Sequence, residues 1–147
     1  MTLRDRLTEE MKGAMKARDE VRLSAIRLIR SSVKNREIEA RHELSDQEVI
    51  EVVSTLVKQR RESIRMFGEA GRSDLVQKEE QELALLLSFL PQQLTREELE
   101  ALIVQVIDEC GAQGPKGMGM VMKMLVPRVT GRADGAMVSA IVKEKLA

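Results

Sequence analysis

The fold is decided by SDQEVIEVVSTLV, residues 45–57, which contains the clearest helix start in the chain. Ser45 and Glu48 stand three positions apart, in the pattern of a capping box whose two side chains satisfy backbone N–H groups of a first helical turn. Apolar residues follow at positions 49, 53, 56 and 57, which is the spacing of one helix face. The stretch predicts a long amphipathic helix that ends near Gly68 and Gly71.

Helical patterns continue on both sides of this stretch. Residues 3–17 are amphipathic, and Asp19 is a predicted N-cap for a helix that reaches about His42. Another helix is expected from Ser73, and Pro91 terminates it because the residue before a proline disfavours the α conformation. Four helices with short connections predict an antiparallel helical body.

The C-terminal part opens with a second capping box, from Thr95 to Glu98. Its helix carries apolar residues on one face as far as Cys110 and is expected to end at the following glycine. A further helical period covers residues 118–129, but Pro127 falls within it. A proline ring clashes with the carbonyl four residues back, so we expect a kink or a break near residues 123–126.

The last predicted helix follows Gly131, a predicted C′ residue, and Asp134, a predicted N-cap. Its predicted inward residues are Met137, Val138, Ile141, Val142 and Leu146.

Composition supports an all-α fold. The chain has nine methionines, no tryptophan or tyrosine and only two phenylalanines, whereas strands favour aromatic and β-branched residues. We therefore predict an N-terminal antiparallel helical domain of about four helices in residues 1–92. A small three-helix domain is expected in residues 93–147.

The single cysteine, Cys110, cannot form an internal disulfide or a zinc or redox pair, which favours a reducing compartment. No segment approaches the roughly 18 consecutive apolar residues of a membrane span. The first seven residues lack an apolar signal core. We expect a cytoplasmic protein with no cofactor, no metal and no membrane partner.

No residue pattern predicts catalysis. His42 is interpreted as a solvated surface histidine and Cys110 as a buried, inert thiol. The carboxylates of residues 79–82 and 97–100 run along single helices and are interpreted as solvated faces. Residues 114–119, GPKGMG, lack the spacing of a phosphate loop. The sequence therefore predicts a protein that is not an enzyme.

Basic charge is concentrated at the two ends of the chain. Residues 1–42 hold eleven Lys/Arg and seven Asp/Glu, and residues 111–147 hold six Lys/Arg and two Asp/Glu. Glycines and helix starts lie nearby, a combination that can contact an RNA backbone by shape and phosphate without reading bases. The alternatives are side chains that only solubilise a small bundle, and a protein partner for exposed Met120 and Met124. The candidate RNA-binding residues are Lys116, Gly117, Gly119, Lys123, Arg128, Gly131, Arg132, Lys143 and Lys145.

Several stretches together resemble the YqeY family. They are LRDRLTEEMKGAMK at 3–16, RLSAIRLIR at 22–30, KQRRESI at 58–64, GRSDL at 71–75, ELALLLSFLPQQL at 82–94 and GMVMKMLVPRVTGRADG at 119–135.

That family is similar to the tail domain of the B subunit (GatB) of the glutamine-dependent aspartyl/glutamyl-tRNA amidotransferase, a helical appendage that touches the outer corner of tRNA. The resemblance implies a stand-alone tRNA-binding module, linked to amidotransferase function but not itself catalytic. It carries over Gly119, Met122, Lys123 and the turn at residues 131–134, while Pro127 and Arg128 belong to the stand-alone version of the motif. One alternative is a protein-interaction adaptor that uses the charged helices at residues 19–42 and 45–70, or exposed Met120 and Met124. The other is an accessory carbon–nitrogen ligase with glutamine as amide donor.

Overall fold

The computed structural model describes all of residues 1–147 as seven α-helices and one 3₁₀ turn, without a strand. This confirms the all-α prediction. No helix combines the length and the apolar character needed to cross a bilayer. The elements are α1 (Leu3–Ala17), α2 (Glu20–Ala40), α3 (Asp46–Glu69), α4 (Ser73–Leu87), α5 (Arg96–Cys110), the 3₁₀ turn (Pro115–Gly117), α6 (Met118–Val129) and α7 (Gly135–Leu146).

The helices begin where short polar side chains can cap them. Ser45 and Thr95 both form complete capping boxes, as predicted, and Thr2 forms a third one at the start of α1. Asp19 and Asp134 accept hydrogen bonds from the first turns of α2 and α7, which confirms both predicted N-caps. These caps satisfy N–H groups that would otherwise lack a partner.

The chain divides into two compact units, the N-terminal unit (Met1–Leu90) and the C-terminal unit (Pro91–Ala147). The N-terminal unit contains α1 to α4, with α2 packed against the other three helices. Its buried core includes Leu7, Ile26, Ile29, Val33, Val49, Val53, Leu86 and Phe89.

The C-terminal unit has a core of its own, built from α5, α6 and α7. Each of these helices turns one apolar stripe inward, and the 3₁₀ turn leads directly into α6. The fully buried side chains are Leu99, Ile103, Val106, Val121, Leu125, Val138, Ile141 and Val142.

Of the kink or break expected near residues 123–126, the break does not occur, because α6 runs without interruption from Met118 to Val129. The proline lies in the last turn, so only the final residues of the helix follow it. The N–H and the hydroxyl of Thr130 both donate to the Val126 carbonyl oxygen, at 3.0 and 2.7 Å, and close the helix end. Gly131 then adopts a φ of 80°, as predicted for a C′ residue.

Three smaller expectations also differ from the structure. Met137 is 42% exposed, whereas the other four predicted inward residues of α7 are buried. Helix α4 ends at Leu87, because Phe89 and Leu90 already form tighter three-residue turns before Pro91. The thiol of Cys110 is only half buried.

Candidate nucleic-acid interface

The solvent face of α6 brings together three of the candidate RNA-binding residues. Lys116, Gly119 and Lys123 are spaced three and four residues apart, so they follow one side of the 3₁₀ turn and α6. Val121 and Leu125 lie on the opposite side and are fully buried. Both lysines are therefore directed away from the core and are exposed.

The two lysines on this face carry uncompensated charge. The ion pairs of the C-terminal unit join Arg96 to Glu100 and Glu144, and Arg128 to Glu109. None of them includes Lys116 or Lys123. We call the exposed surface formed by Lys116, Gly119, Met120 and Lys123 the α6 face.

The three candidate glycines have different surroundings. A Cβ added to Gly119 would meet no atom within 4 Å, so its backbone is open to a ligand. A Cβ on Gly117 would lie 2.7 Å from the Cβ of Ala112, which means that this glycine is required for internal packing. Gly131 is buried, and its carbonyl accepts a hydrogen bond from the Gln93 side chain at 2.7 Å. Only Gly119 can allow close approach of a phosphate backbone.

Arg128 is held by an acidic neighbour on α5. Its guanidinium donates to Glu109 at 3.0 Å, and this hydrogen bond, with a second one from Gln105, holds the pKa of Glu109 below its ordinary value. The positive charge of Arg128 is thus largely compensated within the unit.

Arg132 joins the start of the C-terminal unit to the turn after α6. Its side-chain Nε donates to the Gln92 carbonyl at 3.3 Å, and its own carbonyl accepts from the Leu94 N–H at 2.8 Å. Together with the bond from Gln93 to Gly131, these contacts fasten residues 92–94 to residues 131–132. The arginine therefore has a structural role in the unit.

Lys143 and Lys145 do not extend the α6 face as a pair. They are two residues apart in α7, and residues at that spacing lie on nearly opposite sides of a helix. Both are exposed in the last turn, where positive charge is favourable to the helix dipole. The structure thus divides the basic series into the α6 face, two engaged arginines and two diverging lysines.

The negative charge of the C-terminal unit restricts the positive surface further. Residues 91–147 contain seven Lys/Arg and seven Asp/Glu, and five of the acidic residues belong to α5. The unit as a whole is therefore neutral. An attraction for polyanions therefore depends on local groups of unpaired cations, such as the two lysines of the α6 face.

The methionines of α6 divide into an exposed pair and an inward pair, as their spacing in the sequence indicates. Met120 is 56% exposed and stands between the two lysines of the α6 face, while Met124 is 36% exposed. The Sδ of Met124 lies 2.9 Å from the Cys110 Sγ on α5. Met118 and Met122 pack against the core, as predicted from their spacing along the helix.

The interpretation of residues 79–82 as a solvated face is wrong for two of its carboxylates. Glu79 and Glu82 of α4 are only 15% and 14% exposed, and they hold the Arg60 guanidinium of α3 at 2.7 and 3.0 Å. Their i, i+3 spacing was the available signal, since it places both on one side of α4. This network is structural, because its ion pairs connect α3 to α4.

The groups considered for catalysis have simple surroundings. His42 is exposed, with Nδ1 2.9 Å from the Glu43 carbonyl oxygen and Nε2 3.9 Å from a Glu48 carboxylate oxygen. No group of three or more His, Cys, Asp or Glu side chains is arranged to hold a metal ion.

The chain is similar to curated fungal proteins named altered inheritance of mitochondria protein 41, mitochondrial. The protein from Kluyveromyces lactis is 35% identical over 113 residues, which are 74% of this chain and 60% of the relative. The protein from Eremothecium gossypii is 40% identical over 85 residues, or 57% of this chain and 46% of the relative. The chain thus spans about half to three fifths of the length of these relatives.

The profile of one family covers nearly all of the sequence. It is described as Yqey-like protein and matches residues 4–146, which include both units and the whole α6 face. The chain therefore belongs to the YqeY family.

Proposed function

We propose that the chain is a non-catalytic RNA-binding module that contacts the phosphate backbone through the α6 face, with tRNA as its ligand. The observation that carries the proposal is the pair of unpaired, exposed lysines, Lys116 and Lys123, on either side of an open glycine. Their backbone positions are separated by roughly 10 Å along the helix axis, so they can reach different phosphates. The similarity of the family to the amidotransferase tail domain is the reason for choosing tRNA.

Recognition would depend on shape and charge without base reading. The chain has no tryptophan or tyrosine, and its two phenylalanines lie in the N-terminal unit, so the α6 face offers no aromatic platform for unstacked bases. Contacts to phosphates position a protein without specifying sequence. We therefore expect binding to many tRNAs and strong weakening by salt.

A salt titration with bulk tRNA tests the proposal. We expect the Lys116→Gln and Lys123→Gln double variant to bind more weakly, and the slope of log affinity against log salt to fall by about one for each lysine removed. Lys78→Gln, an exposed lysine in α4, is the matched control and should change neither quantity. Unchanged binding by the double variant would remove the α6 face from the proposal.

A protein-interaction adaptor is the second candidate, and the exposed Met120 favours it, because methionine suits adaptable partner surfaces. The Met120→Lys variant separates the two candidates. It adds a positive charge to the α6 face, so it should strengthen tRNA binding, whereas it should weaken docking of an apolar partner. Loss of a stoichiometric protein partner, with tRNA binding unchanged, would favour the adaptor.

The proposed absence of catalysis is supported by the surroundings of His42 and Cys110, neither of which contacts a partner suited to activating a nucleophile. Transamidation and glutaminase assays on the isolated chain should show no activity above background. A rate that the purified chain sustains would revive the accessory-ligase alternative.

A reducing compartment such as the cytoplasm remains our proposed location, and the single cysteine supports it. The fungal relatives are named as mitochondrial proteins. Imaging of a fluorescent fusion would show which of the two applies.

A further inference from the structure

The N-terminal unit contains a cavity of about 250 Å³ between α1, α2 and the start of α3. Its floor is apolar and consists of the buried side chains of Leu7, Val33 and Val49. Charged side chains of α1 and α2 form the remaining lining. The volume exceeds the ~150 Å³ of a cavity that holds benzene and lies just below the ~300 Å³ at which drug-sized sites begin.

Two charges in the lining compensate each other. Arg4 of α1 pairs with Glu37 of α2 and with Glu43, the latter at 3.2 Å. Glu37 also accepts a hydrogen bond from the Leu44 N–H at 2.9 Å, and this bond, together with Arg4, holds the pKa of Glu37 below its ordinary value. The Glu37 carboxylate is therefore ionised and fully engaged, and it is not available to the rest of the cavity.

The other two cations have no acidic partner. Arg30 and Lys34 are one turn apart on α2, both are exposed, and both line the cavity. The Nη1 of Arg30 is 2.7 Å from the Sδ of Met11, and a thioether is only a weak acceptor. Like charges at this spacing repel each other, so an anion placed between them would be stabilised.

We propose that this cavity binds a small organic carboxylate with a short apolar body. The guanidinium of Arg30 matches a carboxylate in a two-point hydrogen-bonded geometry, and Lys34 adds a second positive charge. The apolar body would cover Leu7, Val33 and Val49. This site belongs to the N-terminal unit and does not depend on the α6 face or on the proposed RNA binding.

The test is a titration of the full chain with straight-chain carboxylates from butanoate to octanoate. Binding is monitored through the methyl NMR signals of the three floor residues. We expect affinity to rise about fourfold for each added methylene, until the cavity is full and affinity becomes constant. The uncharged amide of the same length should bind at least tenfold more weakly. Equal binding of acid and amide, or no response of the floor methyls, would overturn the proposal.

Matched variants locate the charge requirement. Arg30→Gln with Lys34→Gln should reduce carboxylate affinity at least tenfold, with the circular dichroism spectrum unchanged because both side chains are exposed. Arg27→Gln, an exposed arginine on the same helix outside the cavity, should leave the affinity unchanged. In a competition experiment, inorganic phosphate and bulk tRNA should displace a bound short carboxylate less effectively than a longer carboxylate does. If either displaces it equally well, the region is a general anion surface and the proposal is wrong.

Discussion

Gly117 and Gly119 are two residues apart, yet the structure gives a substituted Cβ very different surroundings at the two positions. We expect Gly117→Ala to lower the free energy of unfolding by about 1–3 kcal/mol, because the new methyl group overlaps Ala112. Gly119→Ala should raise it by about 1 kcal/mol, because alanine favours the helix and meets no neighbour. Denaturant unfolding followed by circular dichroism measures both. Equal effects would contradict this packing.

The Gly119→Ala variant also connects stability to the proposed function. A methyl group there would project from the α6 face, in the space that a phosphate backbone would occupy. Under the proposal, the stabilised variant should bind tRNA more weakly than the unmodified chain.

Arg60 illustrates how exposure determines the value of an ion pair. The Arg60→Gln variant should lose about 1–3 kcal/mol of stability, because Glu79 and Glu82 would be left largely covered without their cation. The matched change is Arg65→Gln on the same helix. Arg65 is 56% exposed, so solvent screens its pairs and breaking them should cost clearly less stability than the change at Arg60. Thermal unfolding of both variants provides the comparison, and a larger loss at Arg65 would contradict it.

At the scale of helices, the capping boxes make stability depend on pH. Hydrogen bonds from the backbone at Ser45 and Thr95, the largest causes, hold the pKa of Glu48 and of Glu98 below the ordinary value. Because the folded pKa values are lowered, this stabilisation is complete above the unfolded pKa of about 4.3. It is lost as the pH falls through the folded values.

Acid titration of variants tests the caps. In Glu98→Gln the neutral amide can still cap α5, so the decline of stability below about pH 4.3 should be shallower than in the unmodified chain. Thr95→Ala should lower stability by about 1 kcal/mol at neutral pH. Unfolding midpoints of both variants, measured between pH 3 and 7, test the two expectations. Identical pH profiles for Glu98→Gln and the unmodified chain would contradict the role of the Glu98 carboxylate.

Pro127 is a helix-scale case in which the sequence rule was sound but its consequence was overestimated. The proline removes one hydrogen-bond donor in the last turn, and α6 continues to Val129 despite it. Pro127→Ala should therefore stabilise the C-terminal unit by about 1–2 kcal/mol. Hydrogen exchange at α6 amides would measure the gain. Faster exchange in the variant would show that the ring has a packing role.

Local chemistry was predictable from the sequence, and pairing between elements was not. The caps at Asp19, Ser45, Thr95 and Asp134 depend on residues within three positions, so their spacing was sufficient. Arg128 and Glu109 are nineteen positions apart on two different helices, and no sequence pattern predicts their pairing.

The candidate site shows the same division. The sequence indicated Lys116 and Lys123 as candidates by residue type and by the nearby glycines, but it could not show that Gly117 packs on Ala112 or that Gly131 is buried. Those facts depend on where other segments lie. The cavity beside Arg30 has no signal in the sequence, because its floor comes from three separate helices.

At the scale of the whole molecule, charge is balanced in each unit. The N-terminal unit has seventeen Lys/Arg and seventeen Asp/Glu, and the C-terminal unit has seven of each. Neither unit attracts a polyanion through net charge, so both proposed sites depend on the local absence of acidic partners. The two sites should therefore be separable by dividing the chain.

Cutting the chain between residues 90 and 91 should give two fragments that fold separately. Each unit has its own buried core, so we expect residues 1–90 and residues 91–147 to be helical as separate fragments. The shorter fragment should melt at a lower temperature, because a small domain buries less of its surface. A fragment of residues 95–147 should melt lower still, since it loses the hydrogen bonds from residues 92–94 to residues 131–132. Circular dichroism melts of the three fragments test this order.

The two proposed binding activities should divide with the fragments. Fragment 91–147 should retain tRNA binding and fragment 1–90 should retain carboxylate binding, and titration of each fragment with each ligand tests this. Binding of tRNA by fragment 1–90 alone would transfer the RNA site to the N-terminal unit.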